Sequence, residues 1–296
     1  MRNSYFFIIN PVSLRGGSST EQKIRTFFAT RDELIEICYW NAKNEVADLV
    51  QKGIHLGYSC IVACGGDGTI LQVGRALLNT QIPLGILPLG SGNGIARHFY
   101  ISTHINKALE SLVKYKTQPM DIGKAGDHYF FSNIGFGIEV DFIKAYQEKR
   151  LHGIKGYALA FIRTLFNFEY RPMKLQHNNK TLALTPCVFL IANTNEQGYG
   201  ISLTPMAKTN DGKLNLIVVP KLSLVQLFYF GLCVLRGKPI APHKKILHLK
   251  GDYFKLQSTT KGLAFQIDGE YVFLDENQLE ISVLPHAIEV IGSANE

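Results

Sequence analysis

The sequence predicts a parallel α/β domain followed by a β-rich one, and three observations support this. Short apolar runs alternate with helical patterns from Tyr5 to Tyr100. Near Met120 the texture changes to short β-like runs separated by tight turns. The chain has 296 residues, enough for about two domains of ~150 residues each.

Tyr5–Asn10 (YFFIIN) is an apolar run stopped by Pro11, as in a buried strand that leads into a loop. Thr20 to Ala29 is helical in pattern, with Thr20 as the expected N-cap. Leu34–Trp40 is a second strand, and Asn44–Lys52 is a helix with Gly53 just past its end. Cys60–Cys64 is a third strand with a helix at Ile70–Leu78. Ile82–Leu87 is a fourth strand, and Ile95–Tyr100 opens another helix. Strands alternating with helices imply a parallel sheet with both faces covered.

The second half offers β-like runs at Lys124–Asn133, Thr181–Ala192, Lys213–Val219, Leu247–Leu249, Tyr253–Gln257, Ala264–Ile267, Tyr271–Leu274 and Gln278–Leu284. Tight turns at Asn210-Asp211-Gly212 and Asp268-Gly269 punctuate them. Helical patterns intrude at Val140–Gln147 and Gly156–Asn167. His286–Ile291 is apolar enough for a strand that returns to the first domain. The expected division is therefore 1–119 with 286–296, and 120–285.

Composition narrows the function classes. Lysine and arginine outnumber aspartate and glutamate by 31 to 24, which favours phosphates or anionic lipid. There is no basic run of the kind a nucleic-acid tail uses. The five cysteines form no CxxC pair and fit a reduced, cytoplasmic chain; Cys60 and Cys64 read as small buried residues. The longest apolar region, Leu222 to Leu235, is shorter than the ~20 residues a membrane span needs.

Two glycine clusters stand at the ends of expected strands: Gly65-Gly66-Asp67-Gly68-Thr69, and Gly90-Ser91-Gly92-Asn93-Gly94. Such loops present backbone N–H groups with no Cβ in the way, beside a helix N-terminus, and so suit phosphate. Neither ends in the Gly-Lys-Ser/Thr of a Walker A loop, and Ile95 stands where G-x-G-x-x-G needs its third glycine. A carboxylate beside phosphates repels them. Asp67 is useful there if it holds Mg²⁺ or takes a proton from an attacking hydroxyl; otherwise it caps the next helix, a task Thr69 could also do.

The order NPVS (Asn10–Ser13), GGDGT (Gly65–Thr69) and PLGSGNGIAR (Pro88–Arg97) resembles the diacylglycerol kinase catalytic family, which includes bacterial lipid kinases and sphingosine kinases. That family is related to NAD kinases and 6-phosphofructokinases. The likeness continues through SNIGFGIEVD (Ser132–Asp141), GIKGYALAFIRTLF (Gly153–Phe166), ANTNEQGYGISLTPMAKTNDGKLNLIVV (Ala192–Val219) and FQIDGEYV (Phe265–Val272). The resemblance implies a Rossmann-like nucleotide-binding domain, then a β-sandwich, with an active site in the cleft between them.

The resemblance also implies an ATP- and Mg²⁺-dependent lipid kinase. Asp268 would be the general base toward the lipid hydroxyl, with Glu270 beside it in metal binding or positioning. Side chains alternate along a strand, so Asp268 and Glu270 are expected on one face. Asn10 would touch nucleotide, and Ser13 and Arg15 would lie on the phosphate side. Gly66, Asp67, Gly68 and Thr69 would cradle phosphate and metal. Ser91, Asn93 and Arg97 would line the same cleft, with Arg97 pairing phosphate oxygens. Asp211 resembles a position that holds a structural Mg²⁺ in some bacterial members. Two positions depart from the pattern: Gly94 replaces an acid that helps place Mg²⁺ in many bacterial members, and Leu14 replaces a glycine.

The implied partners are a membrane lipid substrate and an anionic membrane surface, with no nucleic acid; a homodimer is compatible with the sequence. The apolar segments Gly156–Phe168 and Leu222–Leu235 are candidates for lipid contact, flanked by Arg163, Arg171, Arg236, Lys238, Lys244 and Lys245. An NAD kinase-like enzyme and a non-catalytic nucleotide- or lipid-binding module are the alternatives.

Overall fold

The computed structural model describes residues 3–13, 19–41, 45–148, 164, 168–197, 202–235 and 246–292. The chain divides into two compact units. One runs to Asp121 and includes the residues from Pro285 onward; the other spans Ile122 to Leu284.

The first unit alternates strand and helix: β1 (Ser4–Ile9), α1 (Ser19–Phe28), β2 (Leu34–Tyr39), α2 (Glu45–His55), β3 (Cys60–Gly65), α3 (Asp67–Leu77), β4 (Leu84–Pro88), α4 (Gly94–His98) and α5 (Ile105–Lys114). The four strands pair in parallel in the order β2-β1-β3-β4. β1, β3 and β4 are buried along nearly their whole length, as continuous apolar runs in a covered parallel sheet require. The expected α/β fold is observed here.

Three details differ from the sequence reading. Thr20 lies inside the first turn of α1. Gly53 sits within α2, where a Cβ would come within 2.5 Å of Ile61 Cδ1; it serves close helix–sheet packing rather than ending the helix. α5 was not among the expected elements, although its buried Ala108, Leu109 and Leu112 follow helical spacing.

The strand β5 (Thr117–Ala125) leads into the second unit, which contains β6 (His128–Phe130), β7 (Asn133–Gly137), α6 (Ile138–Glu148), β8 (Met173–His177), β9 (Lys180–Leu184), β10 (Pro186–Ala192), β11 (Leu214–Pro220), α7 (Leu224–Leu235), β12 (Leu247–Gly251), β13 (Tyr253–Ser258), β14 (Leu263–Ile267), β15 (Glu270–Leu274) and most of β16 (Gln278–Ile291). One antiparallel sheet has the order β12-β11-β10-β7-β14-β15; a second joins β16, β13, β8 and β9. Both sheets feed one core that includes Phe136, Phe189, Leu216, Phe254, Phe265 and Ile281. That is the expected β-sandwich.

Phe189 and Ile191 of β10 point into this core, while Val188 and Leu190 pack in a second cluster with Leu222 and Phe230. Both faces of β10 are therefore buried, which explains the unbroken apolar run PCVFLIA. Gly126, at φ +56, splits the expected run Lys124–Asn133 into a hairpin, and the break before Pro186 separates β9 from β10. The expected helix at Gly156–Asn167 lies outside the described residues, Thr164 apart. Among the described residues, no helix is long and apolar enough to cross a membrane.

Candidate active site

In the first unit both glycine loops stand at the carboxyl ends of parallel strands, where open α/β sheets bind ligands. Leu89 N–H donates to Gly65 O at 2.8 Å, so the loops begin side by side. A Cβ on Gly90 would lie 2.5 Å from Gly66 Cα and 2.9 Å from Asn93 Oδ1, so only glycine permits this approach. Gly90→Ala is expected to push the loops apart and to weaken ATP binding at least tenfold, with small change in Tm. An ATP titration by calorimetry reads this, and an unchanged Kd would count against the loops as the phosphate site.

Asp67 is the first residue of α3 and does not cap its own helix; the N-cap is Gly66, with no side-chain bond. Its Oδ1 instead accepts the N–H of Ile95 at 3.2 Å, which ties the start of α3 to the first turn of α4. A carboxylate between two helix N-termini is held by their partial positive charge.

Asn93 adopts the left-handed conformation at φ 49. Its Oδ1 accepts from Gly90 N and its Nδ2 donates to Gly90 O, closing the second loop on itself. Asn10 Nδ2 donates to Thr69 Oγ1 at 3.0 Å, and Asn10 Oδ1 accepts from Val12 N. The side chains of Asn10, Thr69 and Asn93, expected at the nucleotide, thus build the loops from within. Gly68, Ser91 and Arg97 are exposed, and Arg97 Nε donates to Gly92 O. Ser13 is half-buried, and its N–H donates to Asn10 O. Arg15 lies outside the described residues.

In the second unit Asp268 and Gly269 form the two-residue turn between β14 and β15, both at positive φ. The Asp268 carboxylate accepts three backbone N–H groups. Phe131 N donates to Oδ2 at 2.8 Å; Ser132 N and Asn133 N donate to Oδ1 at 2.8 and 2.9 Å. This corrects the expectation that Asp268 and Glu270 share one strand face. The chain turns at Asp268, so strand alternation does not relate the two, and Glu270 is exposed at the start of β15.

Around Asp268 runs a polar network that sequence reasoning missed. Gln266 Nε2 donates to Asn133 Oδ1, Gly269 N donates to Gln266 Oε1, and the Ser132 and Thr194 hydroxyls share a bond. The signal was present: Asn133 and Gln266 are polar residues in otherwise apolar strands, and both are buried.

Glu139, in the first turn of α6, has both carboxyl oxygens buried and without a partner. Burial alone pushes its carboxyl well above the usual carboxylate range. Such an acid is neutral in the fold but ionises in the unfolded chain as soon as pH passes the ordinary carboxylate pKa. Its contribution to stability is therefore full below that pKa and falls as pH rises above it. Glu139→Gln is expected to remove that fall and to raise Tm at neutral pH by a few degrees; matching Tm–pH profiles for both proteins would refute this.

Asp211, in the turn before β11, has its Oδ2 paired with Lys250 Nζ, and its Oδ1 accepts from Lys213 N. Among the described residues, no three His, Cys, Asp or Glu side chains cluster as a metal cage would. Mg²⁺ is commonly held by one or two carboxylates plus substrate phosphates and waters, so it needs no such cage. Asp67, beside two phosphate-suited loops, fits a metal of that kind.

Residues 4–125 match the family described as "Diacylglycerol kinase catalytic domain", and residues 132–292 match the "YegS C-terminal NAD kinase beta sandwich-like domain". A diacylglycerol kinase of Staphylococcus haemolyticus is 29% identical over 229 residues, covering 75% of this chain and 68% of that protein. One from Staphylococcus aureus is 28% identical, covering 75% and 71%. A crystal structure of a diacylglycerol kinase from Bacillus anthracis str. Sterne shares the fold at 22% identity and TM-score 0.78, covering 98% of this chain and 97% of that one. Yeast NADH kinase complexed with NADH shares it more distantly, at 12% identity and TM-score 0.51 over 99% of this chain and 84% of that one. With both units matched in order along nearly the whole sequence, the chain belongs to the diacylglycerol kinase catalytic-domain family.

Proposed function

We propose that the chain is an ATP-dependent lipid kinase that transfers the γ-phosphate of ATP to the hydroxyl of a diacylglycerol-like or sphingoid acceptor. The observation that carries this reading is the Asp67–Ile95 tie, which joins two glycine loops into one N–H-rich surface carrying a carboxylate. Phosphoryl transfer consists mainly of positioning and charge neutralisation. The loops, with Gly66 and Gly68 clear of side chains, hold the triphosphate. Ser91 and Ser13 stand on its phosphate side, and Arg97 pairs with phosphate oxygens. Asn10, Thr69 and Asn93 keep the loops in shape.

Asp67 is the residue that would hold Mg²⁺ at the loops, which when bound offsets phosphate charge; Glu270 follows Asp268 as a second acid for metal binding or positioning. Asp268 accepts the proton of the attacking hydroxyl, and its three backbone donors fix the direction in which the carboxylate faces.

The test is transfer of label from γ-radiolabelled ATP, with Mg²⁺, to a panel of diacylglycerol, sphingosine and bacterial lipid extract in detergent micelles, with NAD as a parallel acceptor. The expected result is label in a chloroform-extractable product. Label in the nucleotide alone would make the chain a soluble-nucleotide kinase, and ATP binding with no transfer would make it a non-catalytic module; either outcome overturns the proposal.

A further inference from the structure

Gln266 is a buried amide in an apolar strand. β14 reads LAFQI, and only 5% of Gln266 is exposed, at a position where an apolar side chain would be easier to bury. The sheet leaves room for it. Gly135 of β7 pairs with Gln266, and a Cβ on Gly135 would lie 2.7 Å from Gln266 Nε2. A larger residue at 135 would push the amide from its place.

The amide sits in a line of bonds whose direction one group fixes. Gly269 N can only donate, so Gln266 turns Oε1 to it, at 2.9 Å. Gln266 Nε2 then faces Asn133, which must offer Oδ1, at 2.6 Å. Asn133, also buried, is left with Nδ2 to donate to Ser132 Oγ at 2.9 Å. Buried polar groups joined in this way reinforce one another and hold one arrangement. The line closes a ring around the Asp268 turn. Ser132 N and Asn133 N donate to Asp268 Oδ1, and Asp268 N donates to Asn133 O at 2.9 Å. The Gly269 N–H belongs to the same planar peptide unit as the Asp268 carbonyl, so the bond to Gln266 fixes ψ of Asp268. Asp268 and Gly269 stand at φ 49 and 85, and this turn is thereby tied on both sides to the segment that holds its carboxylate.

We propose that Gln266 is a positioning residue for phosphoryl transfer: through Gly269 N and Asn133 Oδ1 it holds the Asp268 carboxylate toward the attacking hydroxyl. This deepens the lipid-kinase reading and rests on it, because the hydroxyl is the acceptor's. Gln266 acts through Asp268 and moves no proton itself. A leucine in its place would fill the strand but leave Gly269 N and Asn133 Oδ1 without their bonds, and the turn would lose its aim.

The test compares the full chain with its Gln266→Leu variant. The variant's kcat should fall about 10- to 100-fold while KM for ATP changes by less than about twofold, because the glycine loops are untouched. The same change is then made on Asp268→Ala. A residue that works through Asp268 matters little once Asp268 is gone, so Gln266→Leu should lower that remaining rate by less than about twofold. Amide hydrogen exchange supplies a readout without turnover: relative to β10, exchange at Gly269 should quicken about tenfold or more in the leucine variant. Unchanged kcat in the folded variant, or an equal fall with and without Asp268, would overturn the proposal. Asn133→Ala breaks the line at its next bond and should give the same pattern. Failure of both variants to fold would also overturn the proposal, because the two residues would then be structural. If wild type labels no lipid, the kinase reading fails alone. Gly269 exchange still decides whether Gln266 holds the Asp268 turn, and equal exchange in variant and wild type would sink that.

Discussion

Replacing Asp268 by alanine is expected to lower ATP-dependent phosphorylation by about 10²–10⁴-fold, because the attacking hydroxyl loses its proton acceptor. The same change should destabilise the second unit by about 2–3 kcal/mol, because the N–H groups of Phe131, Ser132 and Asn133 lose their shared acceptor. The sequence alone predicts the first effect and not the second. Asp268→Asn separates them. An amide oxygen can still accept the two bonds made to Oδ1, while the amide nitrogen meets the Phe131 N–H as donor against donor. The asparagine variant should therefore recover part of the lost Tm and none of the lost rate. A wild-type rate in either variant, measured on protein shown to be folded by circular dichroism, would remove Asp268 from the chemistry.

The second large effect is expected at Asp67. Alanine removes both the tie to Ile95 N and the charge beside the two loops, and the rate should again fall about 10²–10⁴-fold. The tie is one part-buried hydrogen bond, so the loss of stability should be only about 1 kcal/mol. Asp67→Asn keeps an acceptor for Ile95 and loses the negative charge. If the charge is what matters, the asparagine variant should be as slow as alanine and should need more Mg²⁺ for half-maximal rate. Recovery of most of the rate by asparagine at unchanged Mg²⁺ demand would reduce Asp67 to a loop-building residue.

Much of the fold was legible in the sequence because its signals are local. YFFII, CIVAC and LGILP are continuous apolar runs, and the parallel sheet buries both faces of β1, β3 and β4. Asp268-Gly269 announced a hairpin turn because both positions take positive φ, which Asp and Gly tolerate. Gly53 was misread for a physical reason: a glycine that ends a helix and one that lets a helix approach a sheet look alike until Phe6 and Ile61 are placed beside it.

The candidate site was only partly legible. GGDGT and GSGNG marked where backbone could approach phosphate, but not which side chains would be used up inside the loops. Asn10, Thr69 and Asn93 look from the sequence like ligand contacts; folded, their polar atoms bond one another and the loop backbone. The partner of Asp211 was equally hidden: the pairing of β11 with β12 brings Lys250 to it from 39 residues away.

The order of strands and helices, the two glycine loops at strand ends, and the acidic residues available for phosphate chemistry can all be read from the letters of the chain. Tertiary structure alone decided that Asp67 is held by Ile95 and that Asp268 is clamped by residues 131–133. The donors in both cases are backbone N–H groups. Every non-proline residue has one, so no letter of the sequence marks which of them a distant carboxylate will meet.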